Sequence, residues 1–462
     1  MMDKWNNQKV LILGAARQGL ALARYLANNG AMVTVNDSRP ESIMNKTIAA
    51  HKNLNINWVF GAHPLSLLDN TDLLCISGGV PLDIPIVKEA LARDIPLSND
   101  SQIFMEQVKC PVIGITGSAG KTTTTALLGN IAKTHYQNKR KVWVGGNIGL
   151  PLIDQVEQIS KDDLVILELS SFQLELMTIS PQISAVLNIT PNHLDRHKTI
   201  EAYTDAKSHI LTYQSKNDTA VLGFDDPVAR SLENIVNGDL VTFNFDPTIG
   251  NNPCCYKTKD KLYLFDGNKH HLIMDINNIK LRGDHNIKNV LAACACAFAE
   301  GITIESMTEG TRTFNGISHR MELIKTINGV DWYNDSIATA PERTIAAIRS
   351  FNEPIILLLG GRDKNLPWND LADLIQQRID HVVVFGESSK KIINAIKDAE
   401  ISNTDKPSVD CFIDLEDAVK KAHQLSEPGD IVLLSPGGTS YDAFKDFEER
   451  GEKFKTWVNQ LI

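Results

Sequence analysis

The chain has 462 residues, too many for one hydrophobic core, and this length predicts about three domains. With 43% apolar and 22% charged residues it has the composition of a globular protein, which excludes a disordered, collagen-like or disulfide-framed chain. A formal net charge of -10 argues against a general nucleic-acid binder, which needs a surplus of clustered Lys and Arg, but leaves room for local anion pockets.

The N-terminal stretch MMDKWNNQKVLILGAARQG lacks the basic start, apolar middle and cleavage site of a leader. No run approaches the ~18 apolar residues of a membrane span. A cytoplasmic location without a membrane partner is therefore expected. The seven cysteines (Cys75, Cys110, Cys254, Cys255, Cys294, Cys296 and Cys411) form no CxxC pair. They read as structural thiols of a reducing compartment.

In chain order, residues 1–99 alternate strands with helical stretches. KVLILG (9–14), MVTVND (32–37) and LLCISGG (73–79) predict buried strands, and Gly19–Asn29 predicts an amphipathic helix. Gly14-Ala-Ala-Arg-Gln-Gly19 followed by Asp37 resembles the opening of a dinucleotide fingerprint. Position 16 is Ala where the second glycine would stand, so this segment reads as an atypical nucleotide site and not an NAD site. A second set of strands begins at PVIGITG (111–117) and continues with KVWVGGN (141–147), DLVILELSS (163–171), SAVLNIT (184–190) and TAVLGFDD (219–226). Residues 240–282 read as short strands in an antiparallel patch, and Asn286–Glu300 as an Ala-rich helix. The third set starts near Gly316, with IILLLGG (355–361), HVVVFGE (381–387) and DIVLLSPGG (430–438). The expected fold class is α/β in three consecutive domains, 1–99, 100–316 and 317–462. The first and last are Rossmann-like, and the middle one has a parallel sheet plus a small antiparallel one.

The most specific motif is Gly114-Ile-Thr-Gly117-Ser118-Ala119-Gly120-Lys121-Thr122-Thr123, a variant phosphate loop between a strand and a helix. Glycines bring backbone N–H groups to phosphate oxygens, Lys121 balances charge and the Thr122 hydroxyl can reach Mg²⁺. Glu168 interrupts a buried strand near its carboxyl end, where a carboxylate is costly unless it is paired or metal-bound. Lys207 falls on the apolar stripe of a predicted helix, 199–213, and a lysine snorkelling at the edge of that stripe is the plainer alternative. His193 follows the strand SAVLNIT in a polar loop. Asn147, Asp335, Lys364 and Ser440 also follow apolar runs, and Ser440 stands where a helix is expected to begin, as an N-cap and anion site.

Together these stretches resemble the Mur ligases of peptidoglycan synthesis along essentially the whole chain. The resemblance is carried by ITGSAGKTT (115–123), GGNIGLP (145–151), LELSSFQLE (167–175), NITPNHLDRH (188–197) and YTDAKSHIL (203–211). RGDHNIKN (282–289), ISHRME (317–322), NDSIATAP (334–341), LLLGGRDK (357–364) and LLSPGGTSYDAFKDFEERG (433–451) continue it. GGNIGLP and ELSSFQLE point to the glutamate-adding branch. The resemblance implies an ATP-dependent ligase, working through an acyl phosphate, that joins glutamate to UDP-N-acetylmuramoyl-L-alanine as a monomer in the cytoplasm. By position it places Gly117, Ser118, Ala119, Gly120, Lys121, Thr122, Thr123, Asn286, Asn289, Arg320 and Asp335 at ATP. It places Arg17, Gln18, Asp37, Ser38, Arg39, Gly79 and Asn147 at the UDP substrate, and Thr339, Lys364, Ser440 and Phe447 at glutamate. Lys121, Glu168, His193 and Lys207 would be catalytic. Two Mg²⁺ ions would be held by Thr122, Glu168, His193 and a carbamylated Lys207, with the last domain closing over both substrates.

Two positions depart from the family pattern: Ile337 stands where a lysine is frequent, and Gly437-Gly438-Thr439-Ser440 replaces an ACAS-like tetrad. Two other readings remain at this point, a relative that adds L-glutamate to the same precursor and a nucleotide-binding regulator without catalysis. The set Lys121, Glu168, His193 and Lys207 speaks against the regulator, because pure binding needs no metal-bridging constellation.

Overall fold

A computed structural model describes residues 4–149, 151–245, 252–399 and 407–461, the side chains of Leu194 and Asp195 excepted. Three sheets run along the chain. Strands β1 (Lys9–Leu13), β2 (Met32–Asp37), β3 (Ile56–Phe60), β4 (Leu73–Ile76) and β5 (Leu97–Ser98) form an all-parallel sheet in the order β3-β2-β1-β4-β5. Both faces of β1 are covered, so Val10, Leu11, Ile12 and Leu13 are all buried and the strand reads as a continuous apolar run. The helix Arg17–Asn28 lays Ala21, Leu22, Tyr25 and Leu26 on the sheet. It begins two residues earlier than the pattern predicts.

The second sheet comprises β6 (Val112–Thr116), β7 (Val142–Gly146), β8 (Leu164–Glu168), β9 (Ile183–Val186), β10 (Thr219–Gly223), β11 (Asp239–Asn244), β12 (Cys254–Thr258), β13 (Lys261–Phe265) and β14 (His270–Asp275). Its order is β14-β13-β12-β11-β10-β9-β6-β8-β7. Antiparallel pairing is confined to β12–β13 and β13–β14, and β12 still runs parallel to β11. The antiparallel patch expected over 240–282 therefore extends the edge of the parallel sheet. Cys254 and Cys255 on β12, and Cys294 and Cys296 on the helix Asp284–Ala299, are buried thiols. All seven cysteines are free, and Cys411 alone among them is exposed.

The third sheet is built from β15 (Glu322–Ile327), β16 (Val330–Asn334), β17 (Ile355–Gly360), β18 (His381–Phe385), β19 (Ser408–Phe412) and β20 (Ile431–Gly437), in the order β15-β16-β20-β17-β18-β19. Only β15 runs antiparallel to its neighbour. Leu357, Leu358, Val383, Val432 and Leu433 have no exposed surface.

By contact density the chain falls into two compact units, one ending at Ile279 and resuming over Asp284–Phe314, the other formed by Lys280–Gly283 and Asn315–Ile462. Arg282 explains the short exchange. It bonds Glu353 at 2.6 Å, lies 3.7 Å from Asp331 and sits over the rings of Tyr333 and Phe351. No described helix is long and apolar enough to cross a membrane.

Candidate active site

In the first unit the candidate residues gather at the carboxyl ends of β6, β7, β8 and β9, where the strand order around β6 reverses. Open α/β sheets bind ligands at such points. The loop Gly117–Gly120 leads into the helix Lys121–Tyr136. Gly120 has φ +84°, and a β-carbon there would stand 2.2 Å from the Asn289 side-chain oxygen, so the turn requires glycine. Asn188 braces the loop from β9: its carbonyl accepts from Ser118 N, and its side chain exchanges bonds with the Ala119 backbone at 2.9 and 3.1 Å. The Ser118 hydroxyl donates to the Thr190 carbonyl and lies 3.1 Å from the Tyr203 hydroxyl.

Lys121 Nζ donates to the Gly117 carbonyl at 2.7 Å, and Lys207 Nζ donates to the same carbonyl at 3.0 Å. Lys207 comes from the helix Ile200–Thr212, is 1% exposed and also reaches the Thr116 hydroxyl at 3.3 Å. It does not snorkel. Burial, then the nearby positive charge of Lys121, pushes its pKa far below the usual lysine value, with Glu168 opposing the shift. Glu168 ends β8 and is 2% exposed. Its Oε1 accepts from Asn147 Nδ2 at 2.9 Å, while its buried Oε2 finds no hydrogen-bond partner among the described residues. An unsatisfied buried carboxylate oxygen costs about 1–3 kcal/mol or more, so the position suits a donor or a cation.

The glycine turn and helix start suit phosphate, and the orphan Glu168 oxygen suits a cation. No group of three or more His, Cys, Asp or Glu that could hold a metal exists among the described residues. His193 is exposed at φ +54°, its ring edge-on to Phe172 at 5.1 Å. Asn286 and Asn289 are joined at 3.0 Å, which sets Asn289 against the phosphate loop itself.

The candidate UDP residues of the first sheet stand after β1 (Arg17, Gln18), at the end of β2 and just beyond it (Asp37, Ser38, Arg39) and after β4 (Gly79). Asp37 accepts from Ala15 N at 2.7 Å and from Arg39 through three N–H groups, so both oxygens are already engaged. Arg39, chiefly by direct hydrogen bonding, holds the Asp37 carboxyl down at about 2. Ser38 and Gly79 are exposed, and the Gln18 side-chain nitrogen is buried without a partner among the described residues. Arg17 donates to the Asn147 carbonyl at 3.2 Å, and Arg196 to the carbonyls of Gly78 and Val80. These bonds tie the loops of the first sheet to those of the second.

In the second unit the carboxyl ends of β16, β17 and β20 converge. Asp335 accepts from the Ser435 hydroxyl at 2.9 Å and from Met321 N at 3.2 Å, and burial raises its carboxyl to about 6. Arg320 is exposed and attracts Asp335 electrostatically. Lys364 Nζ lies 3.3 Å from the Thr339 hydroxyl. Ser440 is buried, but the expectation that it caps a helix is corrected. The last helix spans Phe447–Gln460, and its cap is Asp446, which accepts from Glu449 N at 2.8 Å. The segment between them folds as turns because Ala443 N and Phe444 N bond back to the Ser440 carbonyl. Phe447 opens that helix, and its carbonyl accepts from the Ser336 hydroxyl.

Sequence reasoning missed Asn188, Arg196, Ser435 and Arg450 as residues that build these sites. Asn188 ends the apolar run SAVLN (184–188) and Arg196 lies in the segment beyond it, and their polarity there was the available signal. Tyr203 is buried on the same helix as Lys207, and its hydroxyl also serves the loop.

Comparison with known proteins agrees with this architecture. Residues 8–99 match the Mur ligase MurD-like N-terminal domain, 115–297 the Mur ligase middle domain and 319–438 the Mur ligase glutamate ligase domain. The chain belongs to the Mur ligase family. It is 38% identical, over 99% of its length and 97% of the relative's, to the UDP-N-acetylmuramoylalanine–D-glutamate ligase of Acetivibrio thermocellus. The protein of the same name from Clostridium tetani is 37% identical over 98% of this chain and 97% of its own. Among solved structures, MurF from Acinetobacter baumannii shares the fold with a TM-score of 0.58, at 16% identity over 99% of this chain and 92% of that one.

Proposed function

We propose that the chain is the ATP-dependent ligase that adds D-glutamate to UDP-N-acetylmuramoyl-L-alanine in the cytoplasmic assembly of peptidoglycan precursors. The observation that carries this reading is the meeting of two lysine amines, Lys121 and Lys207, on the Gly117 carbonyl, in a site that also holds the half-satisfied carboxylate of Glu168. A buried, half-satisfied carboxylate beside two amines suits a ligand that brings both phosphate oxygens and a cation. The names of the full-length relatives supply the substrate.

Residues 1–99 would take the UDP moiety through Arg17, Gln18, Ser38, Arg39 and Gly79, with Asp37 holding Arg39 and the Ala15 turn in place. Residues 100–316 would take ATP, and 317–462 glutamate, through Thr339, Lys364, Ser440 and Phe447. Lys121 and the N–H groups of Gly120–Thr123 would hold the phosphates, with Gly117, Ser118 and Ala119 shaping the loop. Thr122, Glu168, His193 and a carbamylated Lys207 would hold two Mg²⁺ ions, which when bound neutralise phosphate charge and orient in-line attack. A lysine with a lowered pKa supplies the unprotonated amine that adds CO₂ with loss of a proton, and the resulting carbamate would be an anion able to hold a cation.

Asn147 would then orient the alanine carboxylate, one oxygen of which attacks the γ-phosphorus as ADP leaves. The neutral amine of glutamate next attacks the acyl-phosphate carbonyl, forming the amide and releasing phosphate and a proton. Lys121 counters negative charge throughout.

The test is phosphate release from ATP in the presence of the UDP-muramoyl-alanine acceptor, with each glutamate enantiomer added separately. Turnover with D-glutamate alone is expected. Turnover with L-glutamate alone would move the assignment to that substrate, and ATP binding without turnover would point to a regulator.

A further inference from the structure

Arg450 lies in the first turn of the helix Phe447–Gln460 and is completely buried, at 0% exposed. A buried guanidinium keeps its charge only where acceptors surround it. Its Nε donates to the Ser336 hydroxyl at 3.0 Å, Nη2 to the Ser336 carbonyl at 2.7 Å and Nη1 to the Gly438 carbonyl at 3.1 Å. Ser336 follows β16 and Gly438 follows β20. The turn after β17 closes on the same group, since a β-carbon at Gly361 would stand 2.9 Å from Nη1. These loops are also tied to one another. Arg362 and Thr439 exchange backbone bonds at 2.8 Å in both directions, and Gly437 N donates to the Ala338 carbonyl at 2.9 Å.

One side chain thus stands where the loops carrying Thr339, Lys364 and Ser440 meet. Its acceptors are neutral, and Asp442 favours its charge only through space. Burial lowers the guanidinium to about 10, so it remains a cation at neutral pH.

We propose that Arg450 is the positioning residue of the amino-acid subsite, fixing three loops around the ligand and leaving a buried positive charge beneath its carboxylates. This inference rests on the glutamate-ligase reading. A guanidinium suits the task because its planar fork serves several carbonyls at once, which an ammonium cannot match. The charge would favour a dicarboxylate amino acid over its amide.

The experiment measures kcat and the KM for D-glutamate, ATP and the UDP substrate in the full chain, together with thermal midpoints, for wild type, Arg450→Lys and Arg450→Met. The expected result is a rise of about tenfold or more in the KM for D-glutamate in Arg450→Met, with the other two KM values within about twofold. Arg450→Lys, which keeps the charge but not the fork, should recover part of the loss. A purely structural role would lower the folded fraction or the midpoint and leave the KM of folded enzyme unchanged, and that outcome overturns the proposal. A parallel rise in all three KM values overturns it as well. If Arg450→Met does not fold, Arg450→Lys decides, an unchanged KM for D-glutamate being the refutation. A wild type inert with D-glutamate would fail the functional reading itself, whereas an active wild type with an insensitive Arg450 variant would fail only this inference.

Discussion

Lys207 and Lys121 donate to one carbonyl of the phosphate loop, and two ammonium ions that close repel each other, which favours loss of a proton from one. Burial decides which. Lys207 is 1% exposed and is the amine whose pKa burial lowers, whereas Lys121 sits at the helix start where phosphate charge is expected. Lys207→Ala should therefore lower turnover on the order of 100-fold, and short carboxylic acids that can occupy the carbamate position should restore part of it. Full activity of the unsupplemented variant would remove the carbamate. Asp335 offers a pH test at the same scale. Its carboxyl is raised from the ordinary 3.8 to about 6 by burial, so the folded state binds the proton more tightly than the unfolded one. Stability from this group is then full below the unfolded value and is lost as pH rises through about 6. Asp335→Asn should lie above wild type in urea unfolding at pH 8, by on the order of 1–3 kcal/mol, and the gap should close toward pH 4. A gap that stays constant with pH would show that Asp335 is not the titrating group.

At the scale of elements, the turn from β6 into the helix Lys121–Tyr136 depends on backbone shape more than on any side chain. Gly120→Ala combines a left-handed backbone with a β-carbon driven into Asn289, and should destabilise the first unit by about 2 kcal/mol or more while abolishing ATP binding. Unchanged nucleotide affinity by calorimetry would contradict this. Strands were legible because parallel strands covered on both faces are continuous apolar runs, so Leu164–Leu167 and Ile355–Leu359 stand out at once. The cap of the last helix was not legible. Ser440 and Asp446 are both good caps by residue type, and backbone bonds to the Ser440 carbonyl decide between them by folding the intervening segment as turns.

At the scale of the molecule, two units with separate cores need not unfold together. Scanning calorimetry should resolve more than one transition. Saturating ATP with Mg²⁺ should raise the transition of the phosphate-loop unit by about 5 °C, as ligand binding at 100 times Kd contributes about 2.7 kcal/mol. Lys121→Ala should lose that shift. A shift that survives in the variant would place the nucleotide elsewhere.

The sequence by itself determined the α/β class, the phosphate loop, the odd carboxylate in a core strand and the lysine on an apolar stripe, because each is a local conflict between residue type and periodicity. Tertiary structure alone decided which of those conflicts share a site. That Lys121 and Lys207 meet on Gly117, that the second Glu168 oxygen is left open, and that Arg450 gathers three loops all depend on residues tens of positions apart. Strand order at the carboxyl edges of the sheets brings them together, and strand order carries no local signature in the chain.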